Sequence, residues 1–230
     1  MTTVYIISAP SGSGKSTLVN RVRSLIPGLD FSISYTTRRP RGQEENGKEY
    51  FFIQRAQFEE MIERDEFLEH ADVFGNLYGT ARKFLHEAEQ AGHDLLLDID
   101  VQGAEQIKYK LPQAVSIFIM PPDRQTLEDR LRNRSLDAEE VIQRRLATAT
   151  REIENYANYD YILVNDRLDE SVETLKAILL AERLQLSELE PATDQAALLA
   201  RAERCRLINV RERLQPILAS FLPATAPGRR

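Results

Sequence analysis

Short apolar runs alternate with longer segments of helical periodicity along most of the chain. Four runs have the length and composition of buried strands, at residues 4–8, 95–99, 114–119 and 161–164. Segments with one apolar face predict helices over about residues 16–26, 55–64, 80–90, 124–132, 137–156 and 169–189. The alternation predicts an α/β fold with a mostly parallel sheet flanked by helices.

The pattern changes between the first predicted helix and residue 95. Residues 31–35 and 50–53 have the pattern of short strands around a polar, glycine-containing stretch. We therefore expect an inserted lobe at about residues 33–92, with its own small mixed sheet. The surrounding core then comprises residues 1–32 and 93–186.

Composition shifts again after residue 186. Apolar positions that include Leu207, Leu214 and Phe221 recur at helical spacing, which predicts a helical extension over residues 187–230. Its end, from residue 223, is predicted to be disordered. The apolar stripe either packs on the core or mediates self-association, so the chain is expected to be a monomer or a homo-oligomer. Membrane contact is the remote alternative.

Charge and cysteine content exclude several functional classes. The net charge of −6 in 230 residues argues against nucleic acid as the principal ligand. Cys205 is the single cysteine, which excludes an internal disulfide and a thiolate metal site. The chain start lacks a basic segment followed by an apolar one, and no apolar run reaches membrane-spanning length. A cytoplasmic protein is expected.

A glycine-rich loop joins the first predicted strand to the first helix. It consists of Ala9, Pro10, Ser11, Gly12, Ser13, Gly14, Lys15, Ser16 and Thr17. Backbone N–H groups at such a helix start can wrap the phosphates of ATP, Lys15 can reach the β- and γ-phosphates, and Ser16 can ligate Mg²⁺ directly. Ala9 departs from the usual pattern, in which glycine comes first. A turn that only joins strand to helix would explain both glycines but not the Gly-Lys-Ser-Thr run.

Further motifs follow in order along the chain. They are residues 34–41, 46–50, Glu69, residues 75–80, 98–103, 130–145 and 164–166. Together with the loop they resemble the guanylate kinase family over about residues 4–183. The resemblance implies a nucleoside monophosphate kinase domain over residues 1–186 that transfers the γ-phosphoryl of Mg-ATP to GMP, with dGMP as a second acceptor. It also implies a mobile helical lid over about residues 124–156.

Family likeness implies a set of residues that bind GMP. Those implied to hold its phosphate are Ser34, Arg38, Arg41 and Tyr50. Those implied to lie at guanine are Glu69, Tyr78, Gly79, Thr80 and Asp100. A carboxylate can accept hydrogen bonds from N1–H and the exocyclic amine of guanine, whereas adenine offers the opposite pattern. Taken singly, the arginines could be a solvated loop, Glu69 a surface acid, Tyr78 a loop residue and Thr80 a helix N-cap.

Two acids end the strand that contains residues 95–99. If Asp98 and Asp100 continue it, period-two geometry sends both side chains to one side. The resemblance implies that Asp98 acts on Mg²⁺ through water and that Asp100 faces the acceptor. The alternative is that one of them only caps a helix or turn.

The predicted lid carries several arginines. The resemblance implies that Arg134 and Arg145, with Arg130 as a third, bind the ATP phosphates or the transferred group, and that Asn165 lies near the adenine. Arg132 and Arg144 are expected to be exposed helix residues. The implied catalytic set is Lys15, Arg38, Asp98, Arg134 and Arg145. Two rival functions are a phosphopeptide-binding module of similar shape and a kinase acting on another small phosphate.

Overall fold

The computed structural model describes residues 2–73, 75–134, 138–186 and 195–222. Within these ranges the strands are β1 (Val4–Ser8), β2 (Leu29–Ser32), β3 (Tyr35–Thr36), β4 (Phe51–Phe52), β5 (Phe67–Val73), β6 (Asn76–Ala81), β7 (Asp94–Asp98), β8 (Val115–Met120) and β9 (Tyr161–Val164). The helices are α1 (Lys15–Arg23), α2 (Arg55–Glu63), α3 (Arg82–Ala91), α4 (Val101–Lys110), α5 (Arg124–Arg134), α6 (Glu139–Ile153), α7 (Leu168–Leu186), α8 (Ala196–Glu203) and α9 (Leu207–Phe221).

Five parallel strands form the central sheet, in the order β2-β7-β1-β8-β9. The strands β1, β7 and β8 are predominantly apolar because helices cover both faces of the sheet. Successive residues of β1 point to opposite faces, so Ile6 joins one hydrophobic cluster and Ile7 the other. The predicted α/β fold with a parallel sheet is confirmed.

A second, four-stranded sheet has the order β4-β3-β6-β5 and is mixed, since β3 pairs parallel with β4 and antiparallel with β6. Its own small core includes Phe58 and Phe67, whose rings stack with centroids 4.4 Å apart. This sheet lies in the chain segment where the sequence predicts an inserted lobe.

Three local expectations are wrong. The single strand expected at residues 31–35 is divided: Phe31 and Ser32 pair with β7 in the central sheet, whereas Tyr35 belongs to the small sheet. Thr80 lies in β6, so α3 begins at Arg82 instead of residue 80. The sequence pattern also missed β5, β6 and α4. The strand at residues 31–35 was not seen to divide because period-two alternation continues through it, although the chain passes there from the central sheet to the small one.

Helices α8 and α9 pack on the outer edge of the central sheet. Cys205 accepts a hydrogen bond from the backbone N–H of Ile162 at 2.8 Å, and Val210, Leu214 and Phe221 are buried. The apolar stripe of the extension therefore packs on the core, as one of the alternatives predicted. Residues 187–194 and 223–230, including the end expected to be disordered, lie outside the described residues. Among the described helices, none has the length and apolar composition that crossing a membrane requires.

Candidate active site

The glycine-rich loop runs from the end of β1 to the start of α1. Gly12 and Gly14 have φ angles of 93° and 84°, a region that glycine adopts without strain. A Cβ on Gly14 would lie 2.7 Å from Nδ2 of Asn165. The loop conformation thus requires glycine at position 14 for both backbone and packing reasons. It leaves the first N–H groups of α1 at the carboxyl edge of the sheet, where anions bind.

Lys15 faces the end of the neighbouring strand. Its Nζ lies 2.5 Å from Oδ1 of Asp98 and donates to the carbonyl of Ile99 at 3.1 Å. Both side chains are partly exposed, at 19% each, so a phosphate has access to the cation. The ion pair holds Lys15 ready and balances its charge while no phosphate is bound.

Asn165 anchors the loop from the far side. It is buried, and its Nδ2 donates to the carbonyl of Ser13 at 2.7 Å. Arg130 donates in turn to the Asn165 carbonyl at 3.0 Å. Oγ of Ser13 and Nη1 of Arg130 are buried without a hydrogen-bond partner among the described residues. A bound ligand can satisfy these polar atoms, which otherwise lose hydration at a cost.

The helices of the predicted lid reach the same loop. Nη2 of Arg145 donates to Oγ of Ser11 at 2.9 Å, which places this arginine beside the phosphate-binding loop. Arg132 is held instead by Glu128 and Glu139 on its own hairpin, at 2.6 and 2.5 Å. Arg134 ends α5, and its side chain lies outside the described residues.

Arg38 organises the other end of the cleft. Its guanidinium is buried, donates from Nε to the Tyr78 hydroxyl at 3.1 Å, and lies over the rings of Tyr50 and Phe52. Glu44 binds its two terminal nitrogens, each at 2.9 Å. Burial, followed by the charge of Asp98, raises the pKa of Tyr50 to about 12. Tyr50 of the small lobe therefore lies within electrostatic range of the carboxylate that pairs with Lys15.

Glu69 and Thr80 form a buried polar pair on adjacent strands. Thr80 donates to Oε1 of Glu69 at 2.6 Å, and Glu69 is 3% exposed. Burial raises the pKa of Glu69 to about 7, and the charge of Asp100 adds to this effect. Gly103 leaves room for the carboxylate, because a Cβ there would lie 2.6 Å from Oε2. The site holds a carboxyl group that a ligand with suitable donors can bind as the anion.

Asp100 does not continue the strand as the period-two argument required. The strand β7 ends at Asp98, and Asp100 is the N-cap of α4, accepting from the Gly103 N–H at 2.8 Å. Asp100 therefore caps a helix, and the expectation that it continues the strand with its side chain on the same side as Asp98 is wrong. Asp98 is directed to Lys15, whereas Asp100 lies beside Glu69.

The sequence matches the model of a known protein family. The guanylate kinase family model matches residues 1–182. The chain belongs to the guanylate kinase family. Members of this family are ATP:GMP phosphotransferases, and they bind ATP and GMP.

Individual guanylate kinases are similar over most of the chain. The guanylate kinase of Koribacter versatilis is 58% identical over 228 residues, 98% of each chain. That of Escherichia coli strain K12 is 50% identical over 194 residues, which are 84% of this chain and 94% of the relative. The crystal structure of guanylate kinase from Anaplasma phagocytophilum superimposes with a TM-score of 0.67 at 32% identity, covering 93% of this chain and 94% of that one.

Ser34, Arg41 and Gly79 are further residues that the guanylate kinase resemblance implies for GMP binding. Ser34 is partly buried and accepts a backbone hydrogen bond from Phe51, and Arg41 is exposed. Gly79 lies in β6, where a Cβ would lie 2.9 Å from the ring of Phe67. Packing therefore explains Gly79, independently of any ligand.

The roles of Glu44 and Gly103 were not predicted from the sequence, although Gly103 lies in the motif at residues 98–103. Glu44 binds Arg38, and Gly103 gives Glu69 its space. A glutamate six positions after an arginine in a polar loop has no distinctive pattern. The glycine in the turn-like run Val101-Gln102-Gly103 lies inside α4, where glycine is unfavourable, and this was the available signal.

Proposed function

We propose that this protein transfers the γ-phosphoryl group of Mg-ATP to GMP, giving ADP and GDP, and that dGMP is a second acceptor. The observation that carries the proposal is the proximity of two cationic sites. Lys15 pairs with Asp98, and Arg38 lies over the ring of Tyr50. The pKa of Tyr50 is raised by burial and then by the charge of Asp98, which connects the two sites. The phosphate groups of two ligands, one held at each site, can therefore meet between the sites.

The donor end consists of the glycine-rich loop and the groups around it. In the proposal, residues 9–17 wrap the ATP phosphates with backbone N–H groups, and Lys15 leaves Asp98 for the β- and γ-phosphates. Arg145 moves with the lid from Ser11 to the transferred group, and Arg130 and Arg134 assist. Asn165 contributes by holding Ser13 and hence the loop.

Magnesium fits the donor end because its oxygen-donor residues suit a hard cation. Ser16 and Asp98 would hold it, directly and through water. Two protein oxygens are few, but Mg²⁺ is usually bound by one or two such groups together with substrate phosphates. Among the described residues, no group of three or more His, Cys, Asp or Glu side chains could hold an ion alone. When bound, the ion neutralises the charge that develops on the phosphates.

The acceptor end binds GMP through two groups of residues. Arg38, Arg41, Ser34 and the hydroxyl of Tyr50 bind its phosphate, because guanidinium and phenol donors match phosphate oxygens. The phosphate of GMP is itself the nucleophile near neutral pH, so no general base is required. Alignment, charge neutralisation and exclusion of water then provide the rate enhancement.

Guanine is selected by the buried Glu69 and Thr80 pair, with Tyr78, Gly79 and Asp100 around it. The ionised Glu69 accepts from N1–H and the exocyclic amine, and the Thr80 hydroxyl turns from Glu69, to which it donates without ligand, to donate to O6. Adenine would leave the carboxylate unpaired, a cost of about 1–3 kcal/mol or more for a charged group. The reaction belongs to cytoplasmic purine nucleotide metabolism, where it recycles GMP.

A panel of acceptors tests the proposal. The full chain is incubated with ATP and Mg²⁺ and with GMP, dGMP, AMP, UMP or a ribose phosphate, and ADP release is followed. We expect kcat/KM for GMP to exceed that for AMP by about 10⁴-fold, as for sites that bind a specific donor pattern. Glu69→Gln should lose most of this ratio. Turnover of a ribose phosphate without GMP turnover, or equal use of AMP and GMP, would contradict the proposal.

A further inference from the structure

A cleft of about 580 Å³ lies beside β9, the edge strand of the central sheet. One wall is the first half of α7, and the other is made by α8 and α9. The family model ends at residue 182, before α8 begins at Ala196. This wall of the cleft is thus outside the part of the chain that matches the guanylate kinase family model.

The floor of the cleft is apolar and includes an edge strand. Leu163, Val164, Val210 and Ile217 line it. The N–H of Ile162 points outward, since it donates to the carbonyl of Cys205 at 2.8 Å. Because alternate residues of a strand direct their backbone groups to the same side, the N–H of Val164 also points outward, into the cleft. The floor thus offers the partly exposed side chains of Val164 and Ile217 together with a backbone donor.

Three arginines of the extension line one wall. Arg201, Arg204 and Arg213 belong to the cleft, and Arg201 and Arg213 form no ion pair with any described residue. Cys205 lines the same cleft; burial raises the pKa of its thiol, and the charges of all three arginines oppose that rise. Unpaired guanidinium groups held together repel one another, so an anion that joins them is favoured.

The opposite wall differs in chemistry. Asp166, Ser171 and Thr174 line it, and Glu170 is paired with Arg167 at 3.0 Å. Carboxylate and hydroxyl groups there can accept hydrogen bonds from sugar hydroxyls. Asn165, the residue before Asp166, points instead to Ser13 in the ATP loop. Adjacent residues of one short segment therefore serve the ATP loop and the cleft.

From these features we propose that the cleft is a second ligand site, which binds a nucleoside triphosphate apart from the two substrate sites. Its phosphates lie on Arg201, Arg204 and Arg213, its base lies on the apolar floor, and its sugar faces Asp166. The volume is within the range of about 300–1,000 Å³ usual for small-molecule sites. The proposal does not depend on which monophosphate the enzyme phosphorylates.

The test is calorimetry on the full chain with both substrate sites filled. The protein is first saturated with a single compound in which adenosine and guanosine are joined by five phosphates. GTP is then titrated into the loaded protein. We expect one further GTP per chain, weakened at least about 10-fold in Arg201→Ala/Arg213→Ala, because two charged hydrogen-bonding groups are lost. Arg211→Ala, an exposed arginine of α9 outside the cleft lining, is the matched control and should bind like the wild type.

Inorganic triphosphate separates the phosphate from the nucleoside. It should bind more weakly than GTP, because it leaves the apolar floor uncovered. Unchanged kinase activity of the double variant shows that it folds. The proposal is overturned if loaded wild type takes up no GTP at about 1 mM, or if Arg211→Ala weakens binding as much as the double variant. Equal binding of triphosphate and GTP would overturn the assignment of the floor to the base.

Discussion

Glu44 binds Arg38 through both terminal nitrogens, with two N–O distances of 2.9 Å. Arg38 also donates to the Tyr78 hydroxyl and to the carbonyl of Arg39. An arginine has five N–H donors, so one N–H, on Nη2, is left for a ligand. Glu44 accepts from the backbone N–H of Arg41 as well, at 2.7 Å. It therefore fixes both the direction of Arg38 and the path of the loop that carries Arg41.

Replacing Glu44 by alanine should weaken GMP binding. Without the carboxylate, Arg38 loses its fixed direction and the Arg41 loop loses a hydrogen bond, so the KM for GMP should rise about 10-fold, or about 1.4 kcal/mol, with little change in kcat. Glu45→Ala, in the same loop and exposed, is the control. A fall in the KM for GMP would show that Glu44 competes with the phosphate instead of positioning Arg38.

The affinity for GMP should rise with pH around neutrality. Burial raises the pKa of Glu69 to about 7, so below that pH the ligand-free enzyme holds a protonated group that cannot accept both guanine hydrogen bonds. The KM for GMP should fall from pH 6 to pH 8 and level off above the pKa. Glu69→Gln has no carboxyl group at this position, so its pH profile reports only the titration of the GMP phosphate, whose pKa is about 6. Parallel profiles for the two proteins would contradict this role of Glu69.

The same pKa predicts an effect on stability. The folded chain keeps a proton on Glu69 that the unfolded chain has lost between about pH 4.5 and 7. The contribution of Glu69 to the free energy of unfolding therefore falls as pH rises through that interval. In ligand-free protein, urea unfolding at several pH values should show Glu69→Gln gaining stability relative to wild type towards pH 8. A difference that is constant with pH would contradict the raised pKa.

Asn165 should affect ATP more than GMP. Asn165→Ala removes the hydrogen bond to Ser13 and leaves a buried carbonyl unpaired, a cost of about 1–3 kcal/mol, so the KM for ATP should rise about 10-fold. Asn165→Asp has the same shape but sets a carboxylate against that carbonyl, and it should be worse than alanine. Steady-state kinetics with each substrate varied measures both effects. Wild-type behaviour of the aspartate variant would show that the contact does not support the loop.

The extension should stabilise the fold. Leu214 is completely buried, whereas Ile208 on the same helix is 79% exposed. Leu214→Ala should lower the free energy of unfolding by about 2–5 kcal/mol, and Ile208→Ala should change it by about 0.5 kcal/mol or less. Urea unfolding of the two variants is the comparison. Equal, small effects would mean that α9 does not pack on the core in solution.

The elements and motifs that could be predicted from the sequence are those with a repeating or contiguous pattern. The apolar runs of β1 and β9 and the Gly-Lys-Ser-Thr run are local, so their positions follow from the sequence. It could not predict the ends of elements set by tertiary contacts, such as Thr80, whose partner Glu69 is on another strand. Glu44 was hidden because a contact between loop residues six apart leaves no periodic trace. The direction of the Val164 N–H follows from which edge of β9 pairs with β8, which the sequence does not show.

The central claim is that Lys15 and its loop transfer a phosphoryl group from ATP to GMP. The most direct measurement is the conversion of GMP to GDP by purified protein with ATP and Mg²⁺, for wild type and Lys15→Ala. We predict GDP formation by wild type and a loss of kcat/KM by about 10³-fold or more in the folded variant, the scale seen for groups that stabilise phosphoryl transfer. No GDP from wild type, or near-normal turnover by Lys15→Ala, would contradict the account.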